Sequence, residues 1–96
     1  MAKARTVVEA PLVSEIIDSY IEKSPRTAEL WEALKWRLSR DPEKDAERIK
    51  NTTDTMLLKS DKLNSSYRLP TILILYSFTE DEVSFLSIKI EDPSVI

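Results

Sequence analysis

"RLPTILILYSFTEDEVSFLSIKI", residues 68–90, is the most apolar part of this 96-residue chain. Its run from Ile72 to Tyr76 is unbroken, whereas the stretch from Val83 to Ile90 is interrupted by Ser84 and Ser87. Between them lies the polar turn Thr79-Glu80-Asp81-Glu82. Two strand-length apolar runs around a short polar turn read as a β-hairpin. The continuous run predicts a strand over 71–78 that is buried on both faces, because alternation is lost when neither face meets water. The two serines predict a last strand nearer the sheet edge.

Upstream, Thr55-Met56-Leu57-Leu58-Lys59 reads as a further strand and residues 60–66 as a polar, turn-rich connection. Two amphipathic helices precede them. Leu12, Ile16, Ile17, Tyr20 and Ile21 recur at helical spacing, as do Leu30, Trp31, Leu34 and Leu38, with Trp36 off the second stripe. Ser24-Pro25 has the character of a cap followed by the first helical residue. Asp41-Pro42 repeats that signature, so a third short helix or a turn is predicted from Glu43 to Ile49. Thr6-Val7-Val8-Glu9, β-branched and ended by Pro11, fits an opening strand. The order predicts one α+β domain over residues 1–96. An N-terminal strand and a helical hairpin lead into three antiparallel strands, a small sheet with helices on one face.

Composition narrows the chemistry. The chain has 42% hydrophobic and 32% charged residues, as a folded water-soluble domain does. It has no Cys and no His, which removes disulfides, thiolate or imidazole metal sites, and triads built on an imidazole base. It has no Gly either, where an average chain of this size carries roughly seven, so Walker and dinucleotide phosphate loops are excluded. Left-handed turn positions must then fall to residues such as Asn51, Asn64 and Asp81. No run is long enough to span a membrane and no cleavable leader is evident, so a cytoplasmic protein with no membrane partner is expected. A net charge of −3 argues against strong non-specific binding of nucleic acid, though not against a local basic patch.

Three groups of residues qualify as sites. Lys59, Lys62 and Arg68, with Tyr67 beside them, can hold a phosphate while the ring stacks on a base; the plainer reading is a solvated connection that keeps a strand edge soluble. Glu80, Asp81 and Glu82, with Glu91 and Asp92, are carboxylates of the kind a hard cation takes, but they lack calcium-loop spacing and suit a solvated turn; no metal is assigned. Trp36, flanked by Lys35 and Arg37, is either half-buried on another helix or an anchor for a partner segment.

The helical stretch "APLVSEIIDSYIEKSPRTAELWEALKWRLSRDPE" and the C-terminal "SSYRLPTILILYSFTEDEVSFLSIKI" together resemble the RelE/ParE superfamily of toxins from type II toxin–antitoxin pairs. The resemblance rests on Pro25-Arg26-Thr27-Ala28 leading into the second helix and on Leu38-Ser39-Arg40-Asp41-Pro42 leaving it. It rests equally on Tyr67-Arg68 ahead of a strand, an acidic turn and a final strand, and it spans about residues 6–90. It implies a toxin whose partner is a small antitoxin protein from a neighbouring gene. Its target is then mRNA on the ribosome, cut without a metal or other cofactor, or DNA gyrase.

For an mRNA interferase, the resemblance assigns Lys62 and Arg68 the catalytic charges and gives Lys59, Tyr67 and Lys89 to RNA binding; Trp36 becomes the partner-binding residue. The chain departs from the family in having Glu91-Asp92-Pro93 where an Arg is usual, and in ending Ser94-Val95-Ile96 without the C-terminal Tyr or His of several nucleases. Those departures suit equally a non-nuclease relative, gyrase-directed or inactive, that acts as a protein-binding module. A third class, a small α+β interaction domain outside the family that oligomerises through its hairpin edge, fits the same composition.

Overall fold

The computed structural model describes residues 4–60 and 70–91. In chain order the elements are β1 (Thr6–Glu9), α1 (Pro11–Lys23), α2 (Thr27–Arg40), β2 (Glu47–Arg48), β3 (Thr55–Lys59), β4 (Thr71–Phe78) and β5 (Glu82–Glu91). The strands form one mixed sheet in the order β1-β5-β4-β3-β2, antiparallel throughout except that β1 runs parallel to β5. The α+β class and the succession of strand, helical hairpin and strands agree with the sequence reading. The sheet has five strands instead of four.

Of the third short helix or turn expected from Glu43 to Ile49, the structure has the turn, followed by the extra strand. Asp41 closes α2, its N–H donating to the Arg37 carbonyl, and residues 42–45 turn the chain into the two-residue β2. Two contacts fix that turn. The buried Tyr76 hydroxyl donates to the Pro42 carbonyl, and the Arg37 guanidinium pairs with Asp45. Asp45 (φ 60°) and Asn51 (φ 68°) are the non-glycine residues with left-handed backbones among those described. Asn51 was expected there. Asp81 is not, because the β4–β5 turn is held by the Thr79 hydroxyl, which accepts from the Asp81 and Glu82 amides. Asn64 lies outside the described residues.

Ser24-Pro25 also differs from expectation. Helix α2 begins two residues later, at Thr27, whose N–H donates to the Ser24 carbonyl and whose hydroxyl donates to Ser24 Oγ. The pair makes the inter-helical turn.

Both helices pack on one face of the sheet, but the α1 stripe is shifted: Val13 is buried where Leu12 was expected, and Leu12 is exposed. Val13 and Ile17 of α1, and Leu30, Trp31, Leu34 and Leu38 of α2, join Met56, Leu58, Ile72, Ile74, Tyr76, Val83, Phe85 and Ile88 in a single buried cluster. Trp31 and Tyr76 each meet Phe85 edge-on, with ring centroids 5.4 and 6.4 Å apart. The expectation that β4 is buried on both faces does not hold. Ile72, Ile74 and Tyr76 are buried, while Leu73 and Leu75 between them are only half-buried. Their partial cover comes from cross-strand neighbours on a face that carries no helix among the described residues.

β5 is not an edge strand. It lies between β1 and β4, and its serines occupy the open face. Tyr76 pairs with Phe85 but Leu75 pairs with Ser87, so Leu86 is an extra, bulged residue. The bulge explains how Phe85 and Ile88, three apart, both reach the core.

Candidate functional site

The open face is ordered in rows by the strand register. Lys59 of β3 stands opposite Leu73 of β4, and Leu73 stands opposite Lys89 of β5. Two exposed ammonium groups therefore flank one half-buried leucine, with backbones two strand spacings apart, roughly 10 Å. The next row holds Leu57, Leu75 and Ser87. Beyond it lie Thr55, Ser77 and Ser84, with Val8 of β1. The face thus grades from basic at one end to hydroxylic at the other, across an apolar centre.

The basic end is where the 61–69 connection leaves Ser60 and returns at Pro70. The Ser60 hydroxyl is buried and accepts the Ile72 amide at 2.7 Å, which ties the exit of β3 to the start of β4. Lys62, Tyr67 and Arg68 lie outside the described residues. Lys59 and Lys89, assigned to RNA binding from the resemblance, share one row of one face. Glu91, exposed and two residues beyond Lys89 on the same strand, faces Thr71 and sets a negative charge at the margin of the row. Asp92 is outside the described residues.

Trp36 occupies a different surface. It is 61% exposed on α2, and the Arg40 guanidinium lies 4.2 Å from its ring centroid. Arg40 also donates to the Trp36 carbonyl and to Ser39 Oγ, so one face of the indole is covered by a positioned cation. With Glu32, Lys35, Ser39 and Val7 these residues line an open groove of about 440 Å³ between α2 and β1. Lys35 bridges Glu32 at 2.8 Å and Glu9 at 3.9 Å on its floor. The sequence placed Trp36 off the core stripe; its i,i+4 spacing from Arg40 was the available sign of the stacked pair.

No group of three carboxylate, imidazole or thiol side chains is suited to a metal among the described residues. Asp81 and Thr79 serve instead as backbone acceptors, for the Thr6 amide at 2.9 Å and the Arg5 Nε at 2.7 Å, which docks β1 against the hairpin turn. Among the described residues, the strongly perturbed side chain is a structural one. Burial, and then the charges of Asp41 and Glu43, push the Tyr76 phenol well above its ordinary range. No helix among the described residues is long and apolar enough to cross a membrane. No protein-family model, curated protein or solved structure matches the chain.

Proposed function

We propose that this chain is a toxin of the RelE/ParE kind that engages an RNA backbone with the open face of its sheet. The observation that carries the reading is the row Lys59–Leu73–Lys89, which sets two cations on a face that no helix covers among the described residues, next in sequence to the connection that contains Lys62, Tyr67 and Arg68. Phosphates accept from ammonium and guanidinium groups, and the leucines between them offer an apolar floor against which a base can lie.

Cleavage would proceed without a metal. The ribose 2′-hydroxyl attacks the adjacent phosphorus, the 5′-oxygen leaves, and cationic side chains stabilise the added charge on the phosphate oxygens. Lys62 and Arg68 are the residues proposed for that charge, and a positioned side chain moves the proton. A small antitoxin protein is the proposed partner.

A second reading is favoured by Trp36. An indole this exposed, capped by Arg40, suits a module that grips a protein partner without cutting RNA, as a gyrase-directed or inactive relative would. Tightly controlled induction in a bacterial host, with pulse-labelled protein synthesis, separates the two. Growth arrest with an immediate fall in translation is expected for the interferase. Arrest with DNA damage and continued translation would move the target to gyrase, and growth without arrest would leave only the binding module.

A further inference from the structure

We infer that two copies of this chain join edge to edge through β1, about a two-fold axis at Val8, into one continuous ten-strand sheet. The inference is independent of the RNA reading and starts from the two edges of the sheet.

The β2 edge is protected. It is two residues long, both are exposed and charged, and Arg48 is tied to Glu43 at 2.8 Å. The β1 edge is not. Thr6-Val7-Val8-Glu9 contains no Pro, Lys or bulge; its charge, Glu9, is bridged by Lys35, and α2 closes only its start, where Ser39 accepts the Arg5 amide. The amides of Thr6 and Ala10 donate inward to Asp81 and Phe85 of the hairpin, so by alternation Val7 and Glu9 turn their N–H and C=O groups outward. Three of the four large apolar side chains that are well exposed among the described residues surround this edge. Val8 (42%) and Leu86 (47%) are diagonal neighbours on the open face, and Trp36 (61%) shares the groove with Val7 on the helical face.

The usable edge is short and self-complementary, which points to a second copy in preference to a longer strand from elsewhere. At its start the Arg5 N–H is already given to the Ser39 carbonyl, and past its end Pro11 has no N–H to give. Only Val7 and Glu9 remain, placed evenly about Val8. Antiparallel pairing on a two-fold axis at Val8 sets Val7 of each copy opposite Glu9 of the other and forms four backbone hydrogen bonds. It stacks Val8 on Val8 at the close, non-hydrogen-bonded spacing. Because the Ser39 carbonyl occupies the outer side of Arg5, the neighbour's chain leaves the pairing before its Pro11, where α1 begins. No like charges meet, because Glu9 faces a valine and is already bridged by Lys35.

So small an interface makes a weak dimer, with association on the order of micromolar or weaker. The test is sedimentation equilibrium of the full chain up to several hundred micromolar, with amide hydrogen exchange at low and high concentration. A monomer–dimer equilibrium is expected, with exchange at Val7 and Glu9 slowing as the dimer fills. Val8→Lys sets two ammonium groups against each other at the axis and should weaken association at least tenfold while leaving the melting temperature unchanged, since Val8 is exposed in the monomer. A chain that stays monomeric throughout, a dimer indifferent to Val8→Lys, or a dimer in which Val7 and Glu9 exchange as fast as in the monomer would each overturn the proposal. So would protection of these amides only by an extended segment of another protein.

Discussion

Lys59 and Lys89 face the same way from β3 and β5 because both stand in register with Leu73 of the strand between them. Thirty residues apart in sequence, they share a row by virtue of two antiparallel pairings. An anion resting over Leu73 would meet a cation on either side.

If that row holds a polynucleotide backbone, its signature is a salt dependence. Each phosphate contact removed lowers the log–log slope of affinity against salt by about 0.7 for a single strand. Lys59→Ala and Lys89→Ala should each flatten the slope by that amount, and together by about twice it. Fluorescence anisotropy with a labelled RNA oligonucleotide measures this, and an unchanged slope in the double variant would remove the row from the interface.

Glu91 should act against binding. Its carboxylate lies on the same face as Lys89, so Glu91→Gln is expected to tighten RNA severalfold at low salt, with the advantage fading as salt screens it. Equal affinities at low salt would mean that the RNA path stops short of Thr71.

Tyr76 gives the fold an alkaline limit. Its phenol is raised in the folded state, so stability from the neutral form is complete below the unfolded value of about 10 and is lost progressively as pH rises above it. The sign follows from proton counts. Above pH 10 the unfolded chain releases the phenolic proton that the folded chain keeps, and unfolding gains. Tyr76→Phe forfeits the bond to the Pro42 carbonyl, a loss of about 1 kcal/mol near neutral pH, but should flatten the fall of stability above pH 10. Urea unfolding at pH 7.5 and pH 10.5 for both proteins checks both parts, and lysine ionisation, common to the two, drops out of the comparison.

Ser60→Ala should be costly for an exchange of one oxygen. The Ser60 hydroxyl is the acceptor for the buried Ile72 amide, and its loss leaves that N–H unsatisfied, an expected destabilisation of about 1 to 3 kcal/mol. Ser60→Thr keeps the acceptor and should recover part of it. Equal midpoints for wild type and Ser60→Ala would mean that another acceptor replaces the hydroxyl.

In the core, Leu58→Ala removes a fully buried side chain from the centre of β3 and should destabilise by about 2 to 5 kcal/mol. Leu57→Ala, one residue away on the open face, should lower stability by much less. Thermal melts of the pair test the sidedness of the sheet directly.

The sequence by itself determined the elements that depend on neighbours along the chain. Residues Thr6–Glu9, Thr55–Lys59 and Thr71–Phe78 are strands where β-branched and apolar runs lie between polar or proline breaks; α2 buries its apolar stripe, and α1 buries Ile17 of its stripe with Val13 in place of Leu12. Asn51 takes the left-handed turn that the absence of Gly forces on another residue. Trp36 is exposed because it lies off the stripe that α2 buries.

Only the tertiary structure decided what depends on distant neighbours. The Ile72–Tyr76 run is apolar at every position, so its periodicity contains no choice of face; two helices packed on one side made the choice, burying Ile74 and leaving Leu73 half-covered. Ser84 and Ser87 suggested an edge, yet β5 became internal because β1 returns from the other end of the chain to pair with it, and the bulge at Leu86 sets its serines on the open face. The sequence leaves a short helix or a turn open after Pro42; Arg37, Tyr76 and the β3 edge decide for a turn and a short strand. The Lys59–Leu73–Lys89 row and the place of β1 at one edge of the sheet belong to this second kind. Strand register and strand order are settled by the packing of the whole sheet, and no local stretch of sequence contains them.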